Sequence, residues 1–510
     1  TVTISPAKPS DGAPQTKTFP AGSYVIRMDQ PYSRAADALL DQQYWAPKDP
    51  QKHPYDDTGW SFPYLFNVPT VRVTDPSILK ASMARVDDPG APDGSVSGTG
   101  AVYAVNNDGG VSLLGMRYAL KHAKVLLAEE PFDAAGTHFN AGSLIVEGVS
   151  AEALRSAIKD TNITAVALGA APSVATRAAP LPRVAIMHTW LSTQTEGWWR
   201  MAFDKLHVPY AYINTQTAAR EADLRAKYDV IVFAPAGNAD PQQIVDGMPM
   251  YGNPMPWEKT ALTPNLGLND STADIRPELG FDGLEHLQRF IEQGGLLITS
   301  EDTAQLAVEE GFAPGVFMNP SGATRVVGSV LGAEFVDRSS PVAYGYGPSV
   351  AVYSASGMAF TVSDATSGRP PMTEDKYDRP TGRGGPRAED VPEGRPFVQP
   401  EPLPAPKPWQ ATPLNSDQAR NNPALIPVED RPDVILRFVA AKQLLLSGLL
   451  ENPGPIAQKA IVVDAHYGHG NVLLFANNPV YRAETISTYA LVFNAILNYD
   501  HLGHAAAAAK

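Results

Sequence analysis

Apolar residues fall along this chain in two rhythms. Short unbroken runs, as in RVAIM at 183–187, DVIVFA at 229–234 and LLIT at 296–299, alternate with stretches where apolar positions return every three or four residues. The first rhythm is that of strands buried on both faces, the second that of helices with one apolar stripe. The clearest unit is 183–200, RVAIMHTWLSTQTEGWWR. Its apolar run predicts a strand that gives out at His188, Thr189 and Trp190. A polar turn follows, and from Glu196 onward Trp198, Trp199, Ala202, Phe203 and Leu206 recur at helical spacing. Strand, loop and helix open a parallel α/β sheet, where ligands gather outside the carboxyl ends of the strands.

Taken in order, the chain predicts an extended start over 1–23, a short strand at 24–27 and a helix over 35–43. A turn-rich aromatic loop at 54–60 carries Asp56 and Asp57, which are candidate metal ligands or ordinary turn formers. After a Gly/Pro/Ser linker at 89–98, strands at 101–105, 125–128, 142–146 and 163–168 and helices over 112–123 and 151–159 predict a small α+β module. Strands at 183–187, 210–213, 229–234 and 296–299 then alternate with helices. The irregular stretch 247–280 reads as a lid or surface wrap, because its prolines cannot donate to a central ladder. A helix over 283–293 closes at Gly294 and Gly295, and another covers 304–310. Strands at 326–330, 342–344, 350–353, 434–438, 444–448, 460–464 and 472–475 and a closing helix over 487–497 follow. The expected fold is a doubly wound, mostly parallel α/β sheet preceded by the α+β module, with domains at 1–97, 98–179 and 180–504. Fifteen prolines between 369 and 432 predict an extended insertion there.

Composition narrows the classes. With 510 residues, 44% hydrophobic and 18% charged, the chain is globular and long enough for more than one core. A net charge of −14 argues against nucleic acid or an anionic membrane as partner. No apolar run approaches the ~20 residues that a membrane span needs. There is no cysteine, which removes disulfides, thiolate zinc sites and a cysteine nucleophile together. Thr1 is not a methionine and no leader pattern precedes the fold, so the chain reads as processed or as a piece of a longer one.

Polar residues supply the chemistry. His188, Asn238, Glu301, Asp302 and Asn478 each follow a predicted strand of one sheet and are expected to converge on one edge. Trp190, Glu196 and Tyr481 lie close in sequence and would line the same crevice. The competing reading makes these residues caps and turn formers, since Ser300 and Asp302 precede a helix. No HExxH or HxxE pair is present, and His466 and His469 flank a turn as a solvated loop would. Neither a GxSxG elbow nor a Gly-rich phosphate loop occurs. No catalytic residue, metal ligand set or cofactor site is therefore assigned.

The succession RVAIMHTW, DVIVFAP, GGLLITSEDTAQLA and GNVLLFANNPVYRAET resembles a class I glutamine-amidotransferase-like domain over 182–497. In that superfamily a nucleophilic cysteine occupies the tight turn after the fourth strand. Here the turn reads Ser300, Glu301, Asp302, which implies a degenerate, non-catalytic relative. The longer set AGSYVIRMDQPYSRAADALLDQQYW, PYDDTGWSF, MHTWLSTQTEGWWR and NNPVYRAET is similar to the C-terminal half of large bacterial zinc carboxypeptidases of the carboxypeptidase A type. The resemblance implies an exported (secreted, periplasmic or surface) accessory chain, with zinc only in a preceding peptidase domain. Its partners would be that cleaved domain, copies of itself, or peptides. Two other functions fit the residues: a free-standing hydrolase centred on His188, Glu301 and Asp302, and a structural surface protein assembling through 369–432.

Overall fold

The computed structural model describes residues 2–4, 15–45, 49–51, 53–90, 93–319, 324–364, 425–427 and 430–503. Most of the proline-rich insertion, 369–424, lies outside the described residues. The N-terminal helix α1 (Ser33–Leu40) forms as its spacing predicts. The strand expected at 24–27 does not. Tyr24, Val25 and Ile26 are exposed, and a β-branched run without a neighbouring strand has no ladder to join.

The module is a six-stranded sheet of β1 (Ser95–Gly98), β2 (Val102–Val105), β3 (Lys124–Ala128), β4 (Leu144–Glu147), β5 (Thr164–Leu168) and β6 (Thr176–Ala178), ordered β6-β3-β4-β2-β5-β1. Helices α2 (Leu113–Ala119) and α3 (Ala151–Ala157) belong to it, and its core runs without a break into that of the main sheet.

The main sheet is built on β7 (Val184–His188), β8 (Ala211–Asn214), β9 (Val230–Phe233), β10 (Leu296–Ser300), β11 (Ser329–Phe335), β12 (Ser349–Ser354), β13 (Asp433–Phe438), β14 (Ala460–Tyr467) and β15 (Gly470–Phe475). Its order is β8-β7-β9-β10-β15-β14-β13-β11-β12. The first five are parallel, and the four beyond β15 continue antiparallel. Every residue of β7, β9, β10 and β15 is buried, which is why these strands read as unbroken apolar runs.

Counted within the parallel half, the order is 2-1-3-4-5, that of a doubly wound sheet. Helix α4 (Gln194–Lys205) follows β7 and meets the closing helix through Phe203 and Phe493, whose rings lie 5.3 Å apart. After β8 comes α5 (Thr215–Arg220), and after β9 come α6 (Pro241–Asp246) and α7 (Gly280–Glu292), with α5 and α6 each packed on α7, while α8 (Asp302–Glu309) follows β10. Helix α9 (Ile486–Leu497) closes the fold. The chain switches direction across the sheet between β7 and β9, so the loops after these strands diverge there and open a crevice. The strand expected at 342–344 is a 3-10 turn, Pro341–Ala343, because Pro341 has no N–H to give a ladder.

Candidate functional site

The loops at the carboxyl ends of β7, β8, β9, β10 and β15 carry most of the polar residues singled out in the sequence. They form two groups rather than one. The first is built around His188, the last residue of β7 and 2% exposed. Tyr212 of the adjacent strand stacks on its ring at 4.5 Å, and Trp190 meets it edge-on at 5.0 Å. Nε2 lies 2.8 Å from Asp270 Oδ2 and Nδ1 lies 3.0 Å from the Thr189 carbonyl. Both ring nitrogens thus face oxygen atoms of the chain. Asn214, which ends β8 beside His188, donates to the same Asp270 oxygen at 2.6 Å. Burial alone would raise the Asp270 carboxyl, but hydrogen bonds from His188 and Asn214 hold it below its ordinary range.

Two further carboxyls border this group. Glu278 accepts the Trp190 N–H at 2.7 Å and the Thr215 hydroxyl, and burial pushes it up to about 7. Glu196, in the first turn of α4, accepts the Tyr212 hydroxyl at 3.2 Å and lies 3.7 Å from Arg200, whose guanidinium covers the Tyr212 ring. Burial pushes Glu196 up to about 7 as well.

The second group stands at the ends of β9, β10 and β15. Glu301 follows β10 with φ 55 and ψ −117, outside the regions that a residue with a Cβ ordinarily occupies, and its N–H bonds the Phe475 carbonyl at 2.9 Å. Its outer edge is partly exposed, yet desolvation, with the neighbouring charge of Asp302, pushes its carboxyl up to about 8. Asp302 points the other way. Its oxygens take the N–H groups of Ala236, Ala239 and Thr303 at 2.9, 3.0 and 2.9 Å, so it shapes the turn after β9 and has little left for a ligand. Asn238, in that turn at φ 66, is exposed. Asn478 is fully buried, accepts the indole N–H of Trp199 at 3.1 Å, and turns its amide N–H toward the Glu301 carboxyl, opposing the rise that burial imposes there. Asn477 is equally buried with neither side-chain polar atom bonded. The groups meet where Gly237 lies against Ser192; a methyl there would sit 2.7 Å from the Ser192 hydroxyl.

Asp270, Glu278, Thr215, Asn214 and Tyr212 were not expected here. Asn214 was legible in principle, since it ends a strand in the way His188 does. Asp270 and Glu278 come from the irregular 247–280 stretch, where no periodicity marks which side chain turns inward. Asp56 and Asp57, read as metal ligands or turn formers, are both engaged by side chains of the chain itself. Arg482 pairs with them at 2.6 and 2.8 Å, Tyr353 donates to Asp57 at 2.5 Å, and Tyr481 stacks on Tyr353 at 4.4 Å. Among the described residues no group of three or more His, Cys, Asp or Glu side chains is placed to hold a metal ion. No described helix is long and apolar enough to cross a membrane.

These elements define a mixed α/β protein with a doubly wound parallel half and its polar crevice at the switch of strand order. No family model and no curated protein matches the chain. Among solved structures it is similar to the cytoplasmic protein STM3548 from Salmonella typhimurium, at 12% identity and a TM-score of 0.30, covering 62% of this chain and 97% of that one. A ThuA-like protein from Bacteroides uniformis matches at 10% identity and a TM-score of 0.29, over 64% of this chain and 94% of its own. A glutamine amidotransferase from Thermotoga maritima matches at 11% identity and 0.21, over 35% and 62%. The class of fold rests on strand order and connection, not on these likenesses.

Proposed function

We propose that this chain is a non-catalytic accessory part of an exported zinc-carboxypeptidase-type protein, which uses its amidotransferase-type edge to hold a polar, peptide-derived ligand. The observation that carries the reading is Glu301. It occupies the strained turn after the fourth parallel strand, the place of the nucleophile in the class the sequence resembles, and offers a carboxyl that stays protonated to about pH 8. A carboxylic acid at that point can donate and accept hydrogen bonds but is a poor nucleophile while it keeps its proton. The other groups on this edge, from the tied ring of His188 to the unpaired side-chain amide of Asn477, also serve binding better than bond cleavage.

The test is to incubate the purified chain with glutamine and with peptides bearing a free C-terminus. No ammonia and no amino acid is expected to be released, while calorimetry detects peptide binding that Asn478→Leu weakens at least tenfold. Peptide turnover abolished by Glu301→Gln would instead establish the hydrolase reading. A contact role with its own peptidase domain or a further copy of the chain is favoured by a separate observation, the exposure of Tyr24, Ile26, Tyr32 and Tyr55 along the N-terminal segment.

A further inference from the structure

We infer that the 248–275 segment is a latched lid over the His188 group, held shut by Asp270 and not by hydrophobic burial. The inference deepens the reading of this edge as a ligand site by assigning how access to it is controlled. None of the residues from 248 to 275 is buried. Met250, Tyr251, Met255, Trp257, Leu262 and Leu268 all face solvent, so the segment gains little from the hydrophobic effect where it lies. Within itself it is braced. Trp257 and Thr272 exchange backbone hydrogen bonds, Ile275 N–H reaches the Met255 carbonyl at 2.9 Å, and Arg276 ties the Asp274 carboxylate to the Tyr251 carbonyl.

The two ends of the segment cross at a narrow neck. Met248 N–H bonds the Arg276 carbonyl at 2.8 Å, and Gly247, at φ 75, approaches that oxygen so closely that an added methyl would stand 2.0 Å from it. A braced loop on a narrow neck moves as one piece.

Its attachments to the body are polar and few. Asp270 reaches His188 and Asn214, and Gln216 pairs with Thr272 and with the Asp274 carbonyl, each at 2.8 Å. Contacts of this kind exchange for hydrogen bonds to water at small net cost. Opening is therefore accessible at equilibrium without unfolding the sheet. Beneath the lid lies His188, and the indole of Trp190, whose N–H is buried without a partner, packs edge-on against that ring.

Two measurements test this on the full chain. Carbethoxylation by diethyl pyrocarbonate, read by peptide mass spectrometry, reports the access of solvent to His188, with the largely buried His466 as internal control. Asp270→Ala is expected to speed labelling of His188 at least tenfold and leave His466 unchanged; an unchanged His188 rate overturns the inference. The absence of native cysteine permits the second, a spin-label distance between Leu262→Cys and Glu285→Cys, both exposed positions. A broad or two-component distribution is expected, and a single narrow distance overturns the inference. If Asp270→Ala unfolds, which a matching rise at His466 reveals, the distance measurement made with native Asp270 decides alone. Neither arm uses a peptide, so a lid that opens on a chain that binds no peptide would refute the proposed function and leave this inference standing.

Discussion

Glu301 holds a carboxyl in a backbone conformation that favours glycine, at the end of a strand with no exposed residue. Its proton, with those of Glu196 and Glu278, is kept to about pH 8, 7 and 7, whereas an unperturbed glutamate loses it near 4.5. Between those limits the folded state binds more protons than the unfolded chain. These groups therefore contribute stability that is complete below about pH 4.5 and lost as pH rises through 7 to 8. Urea unfolding at pH 5, 6.5 and 8 is expected to show that fall, and Glu301→Gln to flatten it by roughly 3 kcal/mol. An identical slope in the variant would contradict the assignment. The inward turn of Glu301 was legible as a position after a strand. The neutral state of its carboxyl was not, because desolvation depends on residues remote in sequence.

At the scale of elements, the loop containing Asp56 and Asp57 and the turn containing Tyr481 and Arg482 act as one joint. Arg482 stands at φ 46 and Ala483 at φ 56, a pair of left-handed residues without glycine that the ion pairs and the Tyr353–Tyr481 stack help to hold. Arg482→Ala is expected to cost about 1–3 kcal/mol and to expose the 53–61 loop to protease, because it leaves the half-buried Asp57 without its cation. Limited proteolysis with mapped cleavage sites checks this, and Arg482→Lys should restore part of the loss. Helix α4 offers a contrast. Gly197 lies in its interior with open space around it, so Gly197→Ala should stabilise by ~0.5–1 kcal/mol in thermal unfolding.

For the whole molecule, the module and the main sheet share a core and touch backbone to backbone. Gly115 of α2 packs where α4 ends, and a methyl on it would lie 2.1 Å from the Leu206 carbonyl oxygen. That oxygen belongs to a rigid helix end, so the two units must separate. Gly115→Ala is expected to cost roughly 1–3 kcal/mol and to broaden the unfolding transition as the units uncouple, measured by calorimetry. A single sharp transition at the original temperature would show that the contact yields. Asn107 on the module, which donates to Asn494 of α9 at 3.1 Å, belongs to the same seam.

The sequence by itself determined the parallel half of the sheet. Strands buried on both faces must be apolar throughout, and the helices between them must carry one stripe, so β7, β9, β10, α4 and α7 were written locally. It also placed His188, Glu301 and Asn478 at strand ends, where topology makes a crevice. Only the tertiary structure decided what those residues face. Asp270 arrives at His188 from 82 positions away and Arg482 meets Asp57 from 425 away, along segments with no period to read. Pairing of charges and hydrogen-bond donors is fixed by distance in space, and a pattern along the chain records only which faces are dry.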